Sequence, residues 1–215
     1  MRCHKSKSDL VAAFFKIADT KGLPSGVRFG QACRMDGQTA SVRFARPDDA
    51  GAIARVYIEA WHDTYPAILS KQLLCAMTPK GQTARWRAAI KANGREQVVI
   101  AEDAKRGVIG MASFGPSRDK GMGFDGEVYT LYVDPSHFGC GIGRSLLNGS
   151  FVALRTRGLS SCVIWAHSSN PARFFYEAMG GRLIAERTTR MMGDPVPETA
   201  FGWRKLALTA RSVAR

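Results

Sequence analysis

The chain has 215 residues and a formal net charge of +13, with 45% hydrophobic and 23% charged residues. That length suits one well-packed domain plus an appendage and excludes two full domains of ordinary size. No apolar run approaches the ~18 residues that cross a bilayer, and the basic residues are scattered from Arg2 to Arg215 without a dense run, so neither a membrane nor a specific nucleic-acid partner is expected.

In chain order, residues 1–40 read as an N-terminal extension, with a helical pattern over 8–18 that gives way to a glycine-rich basic stretch; Met35 is a second candidate for the natural start. A domain over 41–208 and a tail over 209–215 follow. Val42 and Phe44 alternate with Arg43 and Ala45 as in a half-buried strand, and Arg46-Pro47-Asp48-Asp49 is a helix-start signal. Ile53, Val56, Tyr57, Ala60 and Trp61 then recur at helical spacing. A second helical region covers 71–92, interrupted near Pro79. Two β-rich runs, 97–101 and 108–114, are joined by a turn over 103–107 and read as a hairpin. The segment 115–125, rich in Gly, Ser and Lys, reads as a surface loop or a mobile lid.

The next strand, 127–133, runs into a glycine-rich junction and a helix that ends near Arg157, with Gly158 as its stop. A strand over 162–166, a helix from Asn170-Pro171 to Met179, and strands over 182–186 and 201–208 complete the pattern. The order is strand, two helices, three strands, helix, strand, helix, two strands, which is an α/β fold with one central sheet. Five cysteines, odd in number and without a Cys-x-x-Cys pair, fit a reducing cytoplasm, and four histidines without ligand spacing imply no metal site.

Chemistry concentrates at the junction Phe138-Gly139-Cys140-Gly141-Ile142-Gly143-Arg144-Ser145. Glycines at 139, 141 and 143 remove the Cβ atoms that keep a diphosphate from the backbone, and the following helix directs its N–H groups and positive dipole end at the same place. A Walker-type loop needs a Lys-Ser/Thr pair where this chain has Arg144-Ser145, and a dinucleotide fingerprint needs a small residue where it has Arg144.

With the preceding Leu131-Tyr132-Val133-Asp134-Pro135, the junction resembles the acetyl-CoA-binding motif of the GCN5-related N-acetyltransferases. The segment Asn170-Pro171-Ala172-Arg173-Phe174-Phe175-Tyr176 resembles a second motif of that family. Phe138 departs from the pattern, standing where Arg or Gln is usual, and Arg144 is either a replacement charge or a solvated first-turn residue.

The resemblance implies the acyl-CoA N-acyltransferase fold: a single mixed, mostly antiparallel central sheet flanked by helices. It implies direct acetyl transfer from acetyl-CoA to a primary amine of a small molecule or protein, without a metal, by a monomer or homodimer. The cosubstrate would lie along Leu131, Tyr132, Val133, the loop from Phe138 to Ser145, and Asn170, with backbone amides near Val133 polarising the thioester. Tyr176 would protonate the departing thiolate, unless it is only a core tyrosine packed with Phe174, Phe175 and Met179. Glu127 would assist deprotonation of the amine through ordered water, unless it is an exposed strand-edge carboxylate. Trp61 and Tyr65 would line the acceptor pocket, or else pack in the core, and the 193–198 segment would border that pocket. A noncatalytic acyl-CoA-binding module is the alternative reading.

Overall fold

The computed structural model of the protein describes residues 40–66, 77–92, 94–191 and 193–206. The expectations for 1–39, for the first part of the second helical region and for 207–215 lie outside the described residues. Strand β1 is Ser41–Phe44, and its Arg43 guanidinium reaches Asp49 Oδ2 at 2.8 Å and Glu102 Oε2 at 2.8 Å. Asp49 also accepts the Arg46 N–H at 2.6 Å, so the carboxylate that the Pro-Asp-Asp signal supplies closes the turn leading into helix α1, Ala50–Thr64. One face of α1 buries Ala50, Ile53, Ala54, Val56, Ala60 and Trp61. Helix α2 is Pro79–Ala92, so the proline begins this helix rather than interrupting it. That is where proline belongs, because the first turn leaves its missing N–H without consequence.

Strands β2 (Gln97–Asp103) and β3 (Gly107–Pro116) form the expected hairpin, and β4 is Gly126–Val133. Helix α3 is Ile142–Thr156, β5 is Cys162–His167, and α4 is Ala172–Ala178. The last two strands differ from expectation: β6 is Arg182–Met191 and β7 is Asp194–Trp203, a long hairpin turning at Gly193, which has φ +93°. Pro195 and Pro197 concealed the start of β7, since proline inside an apolar run reads as a break; both stand opposite β6 residues, but Pro197 turns its carbonyl away from β6 to accept the Ser168 N–H at 2.9 Å, so its missing N–H falls outside the β6 ladder.

The seven strands make one sheet in the order β1-β2-β3-β4-β5-β7-β6, antiparallel except for the parallel pair β4 and β5. Helices cover both faces. Val128, Val133, Leu146, Leu147, Leu154, Ile164, Tyr176 and Phe201 share the cluster beneath α3 and α4, while Ile53, Val56, Trp86, Val98, Ile100 and Met111 share the one beneath α1 and α2. Among the described residues no helix is long and apolar enough to cross a membrane.

Two features of β4 position everything that follows. The β3–β4 register jumps from Ser113↔Thr130 to Phe114↔Val128, which makes Tyr129 the extra residue of a β-bulge. The parallel ladder to β5 pairs only Gly126, Glu127 and Val128, so beyond Val128 the two strands diverge and leave a wedge between them.

Candidate active site

The bulge sets which backbone groups face that wedge. N–H groups alternate sides along a strand. Gly126 N–H points toward β5, where it meets Ser161 O at 3.0 Å, and Asp134 N–H points toward β3, where it meets Ile109 O at 2.9 Å. In a regular strand two residues eight apart would point the same way, so the bulge at Tyr129 is what reverses the second half of β4. Counting back from Asp134, the N–H groups of Val133 and Leu131 turn away from β3 and into the wedge, where β5 no longer pairs with them. Two unpaired donors in a narrow gap are what a polarised thioester carbonyl requires.

At the wide end of the wedge, Pro135–His137 makes a short helical turn and α3 starts after Gly141. Gly139 and Gly141 have φ of +79° and +75°, and a Cβ built on either meets no atom within 4 Å. The loop therefore keeps open the space that side chains would fill, directly before the N–H groups of the first turn of α3. This cradle fits a diphosphate. A Cβ on Gly143 would stand 3.4 Å from the Phe175 ring of α4, at ordinary contact distance. Ile142 is buried, Ser145 is half-buried with its N–H on Gly141 O, and Cys140 and Phe138 pack against the core from the loop. Arg144 is exposed beside the cradle.

His137 holds the loop from behind. It is 2% exposed, its Nε2 lies 3.1 Å from Arg106 Nη1, and its Nδ1 lies 2.9 Å from Ser136 Oγ. A guanidinium only donates, so Nε2 accepts and the ring proton sits on Nδ1. Arg106 comes from the β2–β3 turn, a link that no local sequence signal announces.

Inside the wedge three phenols converge from three elements. Tyr176 on α4 is buried against Phe175, Phe201 and Trp203. Tyr132 on β4 faces the α1 side, and Tyr65 directly follows α1. All three lie within electrostatic reach of one another. Tyr65 Oη accepts a hydrogen bond from Asn170 Nδ2 at 2.9 Å. Asn170 Oδ1 meanwhile accepts the Ala172 N–H at 2.9 Å, so this side chain caps the start of α4 and holds Tyr65 in the same act. Burial pushes all three phenols up from the ordinary tyrosine value.

Trp61 and Tyr65 do stand together, with ring centroids 4.9 Å apart, and Met77, Met191 and Tyr132 pack around them. Both are buried rather than openly lining a pocket. Trp61 Nε1 is a buried donor with no partner among the described residues, as is Trp86 Nε1.

Glu127 is not an exposed edge residue. It sits on a central strand at 2% exposure, and Arg118 takes both of its oxygens: Arg118 N–H to Oε2 at 2.9 Å, and Nε and Nη2 to Oε1, the former at 3.0 Å. The 115–125 segment that supplies Arg118 is a structured turn. Strand β3 extends to Pro116, Lys120–Met122 is helical, and Asp119 accepts the Gly121 N–H at 2.9 Å. Beside this pair opens a concavity of about 420 Å³ lined by Arg85, Arg95, Glu96, Arg118, Tyr129 and Thr130. It adjoins Leu131 along β4, and its basic lining went unnoticed in the sequence because the three arginines are spread over 85–118. Across the wedge mouth, Glu198 on β7 pairs with Arg187 at 2.8 Å and is felt electrostatically by Tyr65, His167 and Arg118.

Comparison with known proteins agrees with this geometry. A model of the acetyltransferase (GNAT) family matches residues 52–181. The chain is 33% identical to the N-acetyltransferase YuaI of Bacillus subtilis, itself uncharacterized, over 78% of this chain and 94% of that one. It is 35% identical to the L-amino acid N-acyltransferase MnaT of Escherichia coli, over 68% and 81%. Among solved structures, the proposed acetyltransferase YncA of Salmonella typhimurium with its cofactor acetyl-CoA superimposes with a TM-score of 0.59 at 24% identity, covering 83% of this chain and all of that one.

Proposed function

The chain belongs to the acetyltransferase (GNAT) family of N-acetyltransferases, and from that premise we propose that it transfers the acetyl group of acetyl-CoA directly to the primary amine of a small molecule, with an amino acid as the favoured class. The observation that carries this reading is the bulge at Tyr129, which turns the Leu131 and Val133 N–H groups into the wedge in line with the glycine cradle. A diphosphate at Gly139–Gly141 and a pantetheine arm along β4 bring the thioester to those two donors.

The reaction then divides among the chain's own groups. The acceptor nitrogen, unprotonated, attacks the carbonyl carbon while the Leu131 and Val133 amides stabilise the oxyanion. The C–S bond breaks as a phenol of the Tyr65, Tyr132 and Tyr176 cluster gives its proton to sulfur, and the proton that the acylated nitrogen sheds restores that phenol through solvent. The resemblance assigns that proton to Tyr176. Glu127 is occupied by Arg118, so its part is to hold the arginine at the edge of the concavity, while Glu198 at the wedge mouth attracts the acceptor's ammonium before it loses its proton. The similarity to an L-amino acid N-acyltransferase and the presence of Arg85, Arg95 and Arg118, with Glu96, among the residues lining the concavity both support an acceptor whose carboxylate enters it.

The test is calorimetric titration with acetyl-CoA of the wild type and a Gly141→Asp variant. Gly141 has a positive φ, so aspartate there adds backbone strain of about 1–2 kcal/mol to the repulsion of a diphosphate. Saturable binding by the wild type that the variant loses supports the reading. A folded wild type that binds no acetyl-CoA overturns it, and a wild type that binds without consuming thioester in the presence of amines favours a noncatalytic acyl-CoA-binding module instead.

A further inference from the structure

We propose that His137, buried behind the glycine cradle, is a positioning residue for acetyl-CoA: with Arg106 and Asp134 it fixes the backbone that meets the diphosphate, and so sets cosubstrate affinity rather than the rate of acetyl transfer. The inference rests on the acetyltransferase reading above and deepens it, by giving a part to a buried group that the reaction itself leaves unused.

The cradle depends on its backbone. Phe138, at its start, has no polar side-chain atom to offer a phosphate and packs against the core. The N–H groups of Gly139 and Gly141 make no hydrogen bond among the described residues, and both glycines have a positive φ with open space where a side chain would stand. Cys140 N–H, between them, is turned back onto His137 O at 3.4 Å. Where loop N–H groups rather than a long cationic side chain meet an anion, affinity depends on how firmly the loop is held before the ligand arrives.

A chain of hydrogen bonds running in one consistent direction holds it. Arg106 Nη1 donates to His137 Nε2 at 3.1 Å, so Nδ1 carries the ring proton and gives it to Ser136 Oγ at 2.9 Å. Ser136 Oγ in turn donates to Asp134 Oδ1 at 2.6 Å, and Asp134 Oδ2 receives Arg55 Nη1 from α1 at 3.3 Å. Both ends are anchored. Arg106 sits on the β2–β3 turn, where the buried Asp103 carboxylate accepts the N–H groups of Lys105 and Arg106 at 2.9 Å each. Arg55 Nη2 reaches Val108 O at 2.7 Å. Both ring nitrogens of His137 are thus engaged, one by each end of the chain, and its carbonyl is bound to the cradle. A ring that served only as filling would need no such chain, and phenylalanine would serve as well.

The experiment measures thiol release as a function of acetyl-CoA concentration, with a panel of L-amino acids and polyamines as acceptors, for wild type, His137→Phe, His137→Gln and Arg106→Ala, with thermal melting to confirm folding. Phenylalanine keeps the bulk of the ring without its polar atoms, whereas glutamine keeps an acceptor oxygen for Arg106. His137→Phe is expected to raise the KM for acetyl-CoA by roughly tenfold, the loss of one hydrogen bond to a charged group, while kcat and the amine KM stay constant. His137→Gln should recover most of that loss. Arg106→Ala should raise the same KM, and because Arg106 is exposed on a turn it tests the link in a folded protein even where His137→Phe does not fold. S-acetylpantetheine carries the thioester without the diphosphate, so its kcat/KM should be the same for all four proteins. An unchanged acetyl-CoA KM in Arg106→Ala, a phenylalanine variant that outperforms the glutamine one, or equal losses with the two donors overturns the proposal while leaving the acetyltransferase reading intact. Absence of thiol release from acetyl-CoA by the wild type with every amine overturns both.

Discussion

Arg118 and Glu127 form an asymmetric pair: the carboxylate is 2% exposed on a central strand, and the guanidinium that grips it is 60% exposed and stacks over the Tyr129 ring at 4.7 Å. The glutamate is thus reached from outside by a residue of the β3–β4 turn. Its position before Leu131 suggested a general base, yet its oxygens are already committed.

Arg118→Ala is therefore expected to destabilise the fold more than it harms the chemistry. It leaves Glu127 buried without its cation, a loss of about 1–3 kcal/mol, kept below the figure for a fully buried pair because the guanidinium is largely solvated. Urea denaturation measures it. Glu127→Gln keeps one acceptor oxygen for Arg118 and should preserve the acid limb of the kcat/KM profile; disappearance of that limb would restore Glu127 as the base.

Arg95→Ala tests the concavity. If a carboxylate enters there, the acceptor loses a charge-assisted hydrogen bond of roughly 1.5–3 kcal/mol, so its KM should rise by about tenfold or more while acetyl-CoA affinity stays constant. An amine lacking a carboxylate should be indifferent to the change. Equal losses for both kinds of amine would count against carboxylate recognition.

Stability at acid pH should depend on the start of the domain. Hydrogen bonds from Arg43 hold both Asp49 and Glu102 below the ordinary carboxylate values. A carboxylate whose pKa falls on folding contributes stability above its unfolded value, about 4, and loses that contribution as pH drops through the folded value. The melting temperature should accordingly decline below about pH 4, and Asp49→Asn with Glu102→Gln should flatten that decline by lowering stability at neutral pH. An unchanged acid decline in the double variant would place its origin elsewhere.

Much of the fold was legible because local rules carried it. The alternation at Val42 and Phe44, the helical spacing from Ile53 to Trp61 and the stop at Gly158 each express a period or a backbone preference that neighbours in sequence decide. The β6–β7 hairpin was underestimated for the converse reason: strand formation by Asp194–Trp203 depends on β5 and β6 on either side, and those ladders override the two prolines that locally read as a break.

The site divides along the same line. Sequence by itself marked the glycine-rich loop, since glycine admits the positive φ that Gly139 and Gly141 adopt, and it placed Tyr176 and Asn170 on one short segment. Only the tertiary structure decided what these groups meet. The bulge that turns two amides into the wedge exists only in the β3–β4 register, and the bond from Asn170 to Tyr65 joins residues 105 positions apart. Arg118 on Glu127 and the three-arginine concavity likewise arise from the sheet bringing distant turns together. Backbone preference is encoded residue by residue, whereas the partner that fills a donor, buries a phenol or neutralises a carboxylate is fixed by packing across the sheet.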